Sequence, residues 1–397
     1  EIYNYKEIKS ELPQKNWKTN SDTEVVLESF VHWGVKFLEK LNGMFAIAIY
    51  DNKEEKLYLF RDRMGIKPLY YYHLGNNFAF ASETKSLLKL PIKKIINKQA
   101  LAEFLHLEYV PNGLSIFENI NKLKKGHYLI YKKTSLKIIK YYSLIEKLNT
   151  KKTNSEEFQD RLNKAVKHRQ ISDVPIGAFL SGGNDSSMIC ALFQKNNLNP
   201  INTFTIGFEE KTHDESIYAR LVSEILKTNH SQKKVYNCLN LENLISKVER
   251  YDEPFAAPSL LPTFDVSYFA RQKSTVAMSG DGGDELLGGY EKIIISMKKG
   301  FLPSLIVRAI FKIYPAKYGT AGWLSKVAFS PDLSYLLLST DKKLLNLLSL
   351  KTDINFKAKY FPKTSSSMGF TIDKQRFVTS LDMEMVPNSA AGKSVPR

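Results

Sequence analysis

The chain of 397 residues has only two cysteines, Cys190 and Cys238. Neither sits in a Cys-x-x-Cys pair or near a His/Cys cluster, which argues against a zinc site and against a disulfide framework. A reducing, cytoplasmic compartment fits that scarcity, and Cys190 falls on the apolar face of a predicted helix as a buried, inert thiol. No apolar run reaches the ~18 residues that a spanning helix needs, so no membrane is expected. The most apolar region, Leu302–Tyr314, is broken by Arg308 and Lys312 and reads as a buried or amphipathic helix. A Walker-type phosphate loop is also missing, because "AAGKS" near the end lacks the leading glycine. RNP-like aromatics, zinc fingers and helix-turn-helix patterns are absent too. The formal net charge of +16 comes mostly from lysines scattered as "IKKIINK", "KLKKGHYLIYKK" and "SQKKV". Such a spread reads as a solvated lysine-rich surface, not as a nucleic-acid interface. The first residue is Glu1, with no signal-like segment, and the opening residues read as the middle of a domain. A fragment is expected.

What is present divides into two patterns. In the first, "NGMFAIAIYD" and "KLYLFRDR" are β-rich runs joined by a polar turn, and "PLYYYHLG" and "FAFASE" follow as a second pair. These spacings predict antiparallel hairpins. Ahead of them, Val26, Phe30, Phe37 and Leu41 recur at near-helical spacing; Ser21 and Glu24 form a capping box and Gly43 stands where the helix stops. The polar stretch Asn149–Ser155 reads as a linker. Beyond it the order becomes strand, helix, strand, helix: "VPIGAFLS", "DSSMICALFQKN", "INTFTIGF", "ESIYARLVSEILKT", "SQKKVYN", "LENLISKVER" and "STVAMSG". That alternation predicts a parallel sheet with covering helices, and such sheets bind ligands at the carboxyl ends of their strands.

Two motifs occupy strand ends of that kind. In "SGGNDSS", Gly182 and Gly183 free the backbone to turn its N–H groups inward, Ser181, Ser186 and Ser187 add hydroxyls, and a helix start follows. This is an anion cradle suited to phosphate. In "SGDGGDELLGGY", Asp281, Asp284 and Glu285 crowd among glycines. Closely spaced carboxylates repel unless a cation or base chemistry uses them, and Mg²⁺ is the natural cation beside substrate phosphates. Asp185 and Asp284 are its candidate holders. In "TFTIGFEEKTHDES", Ile206 is placed to pack on an adenine ring, and Asp214 is either a substrate contact or a helix cap. The loop "YDEPFAAPSLLP", Tyr251–Pro262, reads as rigid and acidic. Its Asp252 and Glu253 lie near substrate or are plain surface charge.

Taken in order, "FLSGGNDSS", "TFTIGFEEKTHDES", "DEPFAAPSLLP" and "SGDGGDELLGGY" closely resemble the synthetase domain of glutamine-hydrolysing asparagine synthetases. Upstream, "EIYNYKEIKSEL", "SDTEVVLE", "LNGMFAIAIYD" and "RDRMGIKPLYY" resemble the class II glutaminase domain of the same enzymes. The resemblance covers about residues 1–385. It implies an α+β antiparallel-sheet (Ntn-type) glutaminase domain over residues 1–148 and a linker at 149–155. An α/β parallel-sheet ATP-pyrophosphatase domain follows over 156–385, with an atypical tail at 386–397. It further implies that glutamine is hydrolysed in the first domain and that the ammonia passes internally to the second. There ATP activates the aspartate side chain as β-aspartyl-AMP, with Mg²⁺, and ammonia displaces AMP.

Residue by residue, the resemblance assigns Glu1 and Asp22 to glutamine and Phe179 and Ile206 to apolar ATP contacts. Ser181, Gly182, Gly183, Asp185, Ser186 and Ser187 match the pyrophosphate loop. Ser279 and Gly280 match backbone contacts to the nucleotide, and Asp284 matches a magnesium-associated carboxylate. Asp281 stands where some members have a glutamate acting as base toward ammonia, and it is one methylene shorter. The sequence departs from the pattern in three places. The catalytic cysteine and the Asn-Gly of the glutamine motif do not appear, so the chain as given is expected to lack glutaminase activity. Asn184 replaces an apolar loop residue. "VPNSAAGKSVPR" stands where a Leu-Pro-Asp-Asp segment and a later lysine are expected, which suggests truncation. The expected partners are glutamine, aspartate and ATP, and the resemblance leaves room for a homodimer. Other readings are amidation of a different carboxylate, such as a surface-polysaccharide sugar precursor, an inactive nucleotide-binding descendant, and another ATP-pyrophosphatase. The hairpins of residues 41–82 and "SGDGGDELLGGY" argue against the last.

Overall fold

A computed structural model of the chain describes residues 1–13, 16–111, 113–147, 154–210, 214–235, 241–257, 259–287 and 289. Its first half is built on the alternation of side chains along one strand. Strand β2 (Lys56–Arg61) pairs antiparallel with β1 (Ala46–Asp51) and with β6 (His127–Lys132), and β7 (Ser135–Lys140) closes the sheet beyond β6. Tyr58 and Phe60 on β2 face one way, into a core with Ile8, Val25, Val26, Phe37 and Leu38. Those residues lie on α1 (Tyr5–Glu11), α2 (Asp22–Trp33) and α3 (Phe37–Lys40). Leu57 and Leu59 face the other way, onto Leu69, Tyr71, Leu123 and Leu129.

A second antiparallel sheet supplies part of that second layer, with β3 (Tyr70–Leu74) between β4 (Asn77–Ala81) and β5 (Ile120–Lys122). Tyr71 points inward from β3, while Tyr70 and Tyr72 point outward against Leu87 of α4 (Thr84–Leu87). Two sheets are thus stacked face to face between helices, as period-2 burial on both faces requires. The helices α5 (Lys98–Leu107) and α6 (Leu144–Lys147) complete this half.

Both hairpins follow the sequence expectation. The expected single helix ahead of them does not. It ends at Trp33, where Gly34 adopts φ +56° and its N–H returns to Phe30 O. A short 3₁₀ turn and α3 then carry the chain on to Leu41. Gly34 therefore provides the stop, ahead of Gly43. The expected capping box is also split. Ser21 Oγ accepts from Thr23 N–H at 3.1 Å, while Glu24 reaches back to the Lys18 and Thr19 N–H groups instead of to Ser21.

The second half is a parallel sheet in the order β10-β9-β8-β11. Its strands are β8 (Ile176–Phe179), β9 (Asn202–Phe208), β10 (Asn229–Val235) and β11 (Val276–Met278). The helices are α7 (Ser155–Arg169), α8 (Asn184–Lys195), α9 (Ser216–Leu226), α10 (Leu241–Val248), α11 (Leu260–Ala270) and α12 (Gly283–Leu287). Val166, Ala178, Cys190, Phe193, Ala219 and Met278 form one core from α7, β8, α8, α9 and β11. The Phe269 ring of α11 meets Phe204 of β9 edge to face, with centroids 6.0 Å apart. Every strand and helix expected between Val174 and Gly280 is present. The acidic loop is shorter than expected, because Leu260–Pro262 already belong to α11; proline is tolerated in a first turn, where the N–H has no helical acceptor.

Residues 149–153 of the expected linker lie outside the described residues, and Ser155 already opens α7. Cys238, the apolar run Leu302–Tyr314, the rest of the expected synthetase domain beyond residue 289 and the tail 386–397 lie outside them as well. Among the described residues no helix is long and apolar enough to cross a membrane.

Cys190 is fully buried, and burial pushes its thiol up to about 12. Because the thiolate is the reactive form, Cys190 should resist iodoacetamide at pH 8 in the folded protein and react fully once the chain is unfolded. Peptide-resolved mass spectrometry reads this site apart from Cys238. Rapid labelling of Cys190 under native conditions would refute the packing described.

Candidate functional site

The pairing of β8 with β11 places Met278 opposite Ala178. Their carboxyl ends therefore release the loops 180–183 and 279–282 side by side, and both loops meet at the first turn of α8. The contact is extremely close. A Cβ added at Gly280 would lie 2.6 Å from Ser186 N, so only glycine lets the second loop cross the helix start. Gly182 has φ +88°, and a Cβ there would meet Ala219 N and Tyr218 Cβ at 2.6 Å. Two backbones thus converge on one helix N-terminus, where unpaired N–H groups and the helix dipole favour an anion.

Hydrogen bonds within the cradle hold its shape. Ser186 Oγ accepts from Ser181 N–H at 3.2 Å and lies 2.9 Å from Ser181 Oγ. Gly183 N–H donates to Ser181 Oγ at 3.2 Å. The hydroxyl of Ser187 is buried without a hydrogen-bond partner among the described residues. Ser181 and Ser186 therefore shape the loop, and Ser187 is a hydroxyl left to serve a ligand. Phe179 ends β8 and Ile206 lies near the end of β9, both partly buried at the carboxyl side of the sheet.

Carboxylates rim the cradle. The Asp185 carboxylate lies against Gly283, where a Cβ would come within 2.5 Å of its Cγ. Partial burial, then the charges of Asp185 and Glu285, raise the Asp284 carboxyl above its ordinary range. An acid whose charge is disfavoured by neighbouring carboxylates is part of a donor set suited to a hard divalent cation. No group of three or more His, Cys, Asp or Glu is arranged to hold a metal among the described residues. Mg²⁺ needs fewer, since it commonly takes one or two carboxylates together with substrate phosphates. Asp281 is exposed and accepts from Ser279 Oγ at 3.0 Å. Asp214 Oδ1 accepts from Ser216 N–H at 3.1 Å, ahead of α9, and bonds from Ser216 hold its carboxyl low. That is the geometry of a helix-entry turn.

The remaining expected residues lie in the first half. Ile2 N–H donates to Asp22 Oδ2 at 2.9 Å and Met44 N–H donates to Glu1 O at 2.9 Å, which brings Glu1 and Asp22 together. Beside them is an anchor the sequence reading did not single out. Asp62, 1% exposed, accepts from the N–H groups of Phe45, Met64, Ile66 and Lys67. Arg61, also 1% exposed, donates to the carbonyls of Lys67, Leu123 and Gly65. Burial pulls the Arg61 guanidinium down, and the Asp62 carboxylate opposes that. The signal was visible as an Arg-Asp pair ending an apolar strand, because buried charges must be paired.

Asp252 and Glu253 are not plain surface charge but are turned toward the first half. Asp252 accepts from Thr84 N–H at 2.9 Å, and Glu253 Oε2 accepts from Ile116 N–H at 2.9 Å. Both acids reach from the second half into the first.

Comparison with known protein families matches residues 1–142 to a glutamine amidotransferase domain and residues 157–314 to asparagine synthase. A putative glutamine-hydrolysing asparagine synthetase of Methanocaldococcus jannaschii is 38% identical over 348 residues, covering 84% of this chain and 67% of that protein. Asparagine synthetase 1 of Bacillus subtilis is 35% identical over 73% of this chain and 46% of its own length. Asparagine synthetase 2 of the same organism is 32% identical over 85% of this chain and 49% of its own length. The chain thus spans about half to two-thirds of these relatives.

Replacing Asp284 with Asn should raise the melting temperature in divalent-free buffer at pH 7, by about a degree or two for a side chain this open to solvent. Since the native carboxyl is raised, the repulsion is fully present above the carboxylate range and vanishes as pH falls and Asp284 takes up a proton. The gain should disappear near pH 3. Thermal melts of both proteins across pH check this, and an Asn variant that is less stable at pH 7 would contradict it.

Proposed function

Since this chain belongs to the family of glutamine-hydrolysing asparagine synthetases, we propose that it takes part in the ATP-dependent amidation of aspartate with glutamine as nitrogen donor. The domain division follows the same reading, with residues 1–148 as the glutaminase domain and 156–385 as the synthetase domain. The observation that carries the proposal is the convergence of the loops 180–183 and 279–282 on the first turn of α8, flanked by Asp185 and Asp284.

In this reading the N–H groups of Gly182, Asn184, Asp185 and Ser186 and the Ser187 hydroxyl receive the pyrophosphate of ATP, while the N–H groups of Ser181, Gly183 and Ser187 bond within the loop. Ser181 and Ser186 keep the loop in that shape. Phe179 and Ile206 flank the adenine, and the backbone of Ser279 and Gly280 meets the nucleotide. Asp185 and Asp284 would hold Mg²⁺, which would supply positive charge beside the pyrophosphate. The side-chain carboxylate of aspartate attacks the α-phosphorus, the bond to pyrophosphate breaks, and β-aspartyl-AMP forms. Ammonia then attacks the acyl carbon and AMP leaves, with Asp281 placed to accept the proton. Burial of the carboxyl itself raises Asp281 above its ordinary range, against the bond from Ser279, and this favours its taking up a proton. Asp214 is assigned to the substrate side of the same edge, beyond its turn-forming bond. Glu1 and Asp22 hold glutamine through its charged amino group. The family's cysteine nucleophile does not appear in this sequence; where the full-length protein supplies it, the ammonia released there serves the second site, which makes glutamate, AMP, pyrophosphate and asparagine the products.

The experiment is aspartate-dependent exchange of labelled pyrophosphate into ATP with Mg²⁺, on the full-length gene product. Exchange should depend on aspartate and fall at least 100-fold in Asp185→Ala. ATP binding without aspartate-dependent exchange would overturn the aspartate assignment, and exchange with a sugar acid instead would name a different acceptor.

A further inference from the structure

The segment from Arg250 to Ala256 is stitched into the first half of the chain at several points. Asp252 lies at the start of α4: its carboxylate accepts from Thr84 N–H at 2.9 Å and from Thr84 Oγ1 at 3.2 Å, and its carbonyl also accepts from Thr84 Oγ1. Lys85 Nζ donates to Arg250 O at 3.1 Å. Glu253 Oε2 takes the Ile116 N–H, and Ala256 N–H donates to Glu108 O at 2.9 Å beside an antiparallel bridge between Phe255 and Tyr109. Burial raises the Glu253 carboxyl, and the Lys122 charge is the largest influence opposing it. Lys122 as a residue is only partly buried, but its ammonium is enclosed. It donates to Val110 O at 3.3 Å and lies 5.5 Å from the centre of the Tyr70 ring.

Both ends of this contact lead directly to a site. On one side, Leu123 follows Lys122; its N–H binds Leu69 O and its carbonyl receives Arg61, which braces the Asp62 loop beside Glu1 and Asp22. On the other, the segment runs into α11, which packs on β9 and returns the chain to β11 and the loop at Gly280. Glu253 is a buried acid held by the Ile116 N–H, and the Lys122 charge offsets part of the cost of its burial, so a displacement that removes either influence leaves the carboxylate poorly compensated.

We propose that Asp252, Glu253 and Lys122 are positioning residues that form a latch, transmitting the state of the glutamine site to the ATP site. The coupling role rests on the functional reading above; the latch itself does not. Loosening it should separate glutamine use from ATP use while leaving each half-reaction running.

Two measurements test this on the full-length protein. The first is hydrogen–deuterium exchange read across the contact. Lys122→Met should speed exchange at least 5-fold at Thr263 in the first turns of α11, and Glu253→Gln should do the same at Leu123. Lys122→Arg, which keeps the charge, should stay within 2-fold of wild type. Changes confined to the half that carries the substitution would overturn the latch. Asp252→Asn provides a milder second variant if Glu253→Gln does not fold. The second measurement is the ratio of glutamate to AMP formed, together with AMP formation from ammonia. In Glu253→Gln the ratio should rise at least 3-fold while the ammonia-driven rate stays within 2-fold. An unchanged ratio would overturn the coupling. Wild-type protein that forms no AMP from either nitrogen source would sink the functional reading instead, and the exchange data would still decide the latch.

Discussion

The approach of Gly280 to the first turn of α8 is the constraint around which the second half is arranged. Two loops from adjacent parallel strands can share one helix N-terminus only if the backbone of one crosses within contact distance of the other. A side chain at that crossing would meet Ser186 N at 2.6 Å. Everything charged at the rim follows from this closeness. Asp185 is pressed against Gly283, and Asp284 titrates in the field of Asp185 and Glu285. An arrangement of acids around an anion cradle is poor for stability and good for holding a cation between them, a common compromise at functional sites.

The first half solves a different problem. Its loop after β2 must hold several backbone N–H groups in fixed directions without regular structure. Arg61 and Asp62 do this by giving and receiving hydrogen bonds that strands or helices would otherwise supply. A buried Arg is costly unless its donors are satisfied, and here three carbonyls satisfy them. The loop is rigid because its polar groups are accounted for, not because it is apolar.

Legibility in the sequence tracked the range of the interactions. Hairpins with short polar turns and strands followed by amphipathic helices are local, and their expected positions agree with the structure. The two loops of the second half were legible as neighbours, because alternation implies a parallel sheet and such sheets gather loops at one edge. What was not legible depended on distant backbone. Gly34 and Gly43 are equally plausible helix stops in one dimension, and only the packing of Phe37 and Leu38 under α2 selects the first. Asp252 and Glu253 read as substrate contacts or surface charge, since nothing nearby in sequence announces that their acceptors are filled by Thr84 and Ile116, more than a hundred residues away. Acids adjacent to a proline declare an ordered loop but not its partner.

The strand order also bears on how the chain is made. β8 is flanked by β9, which follows it closely, and by β11, which comes 97 positions later by the difference between Phe179 and Val276. At synthesis rates of roughly 5 to 20 residues per second, the 68 positions from Phe208, the end of β9, to Val276 keep the nascent chain waiting about 3 to 14 s between the two pairings. During that interval one edge of β8 is unpaired, and the anion cradle lacks its second wall. A growing chain in that state offers an open strand to its neighbours on a polysome. The architecture that brings two remote loops together in the finished protein thus makes its assembly late, and makes the ribosome-bound stage the moment at which aggregation competes most strongly with folding.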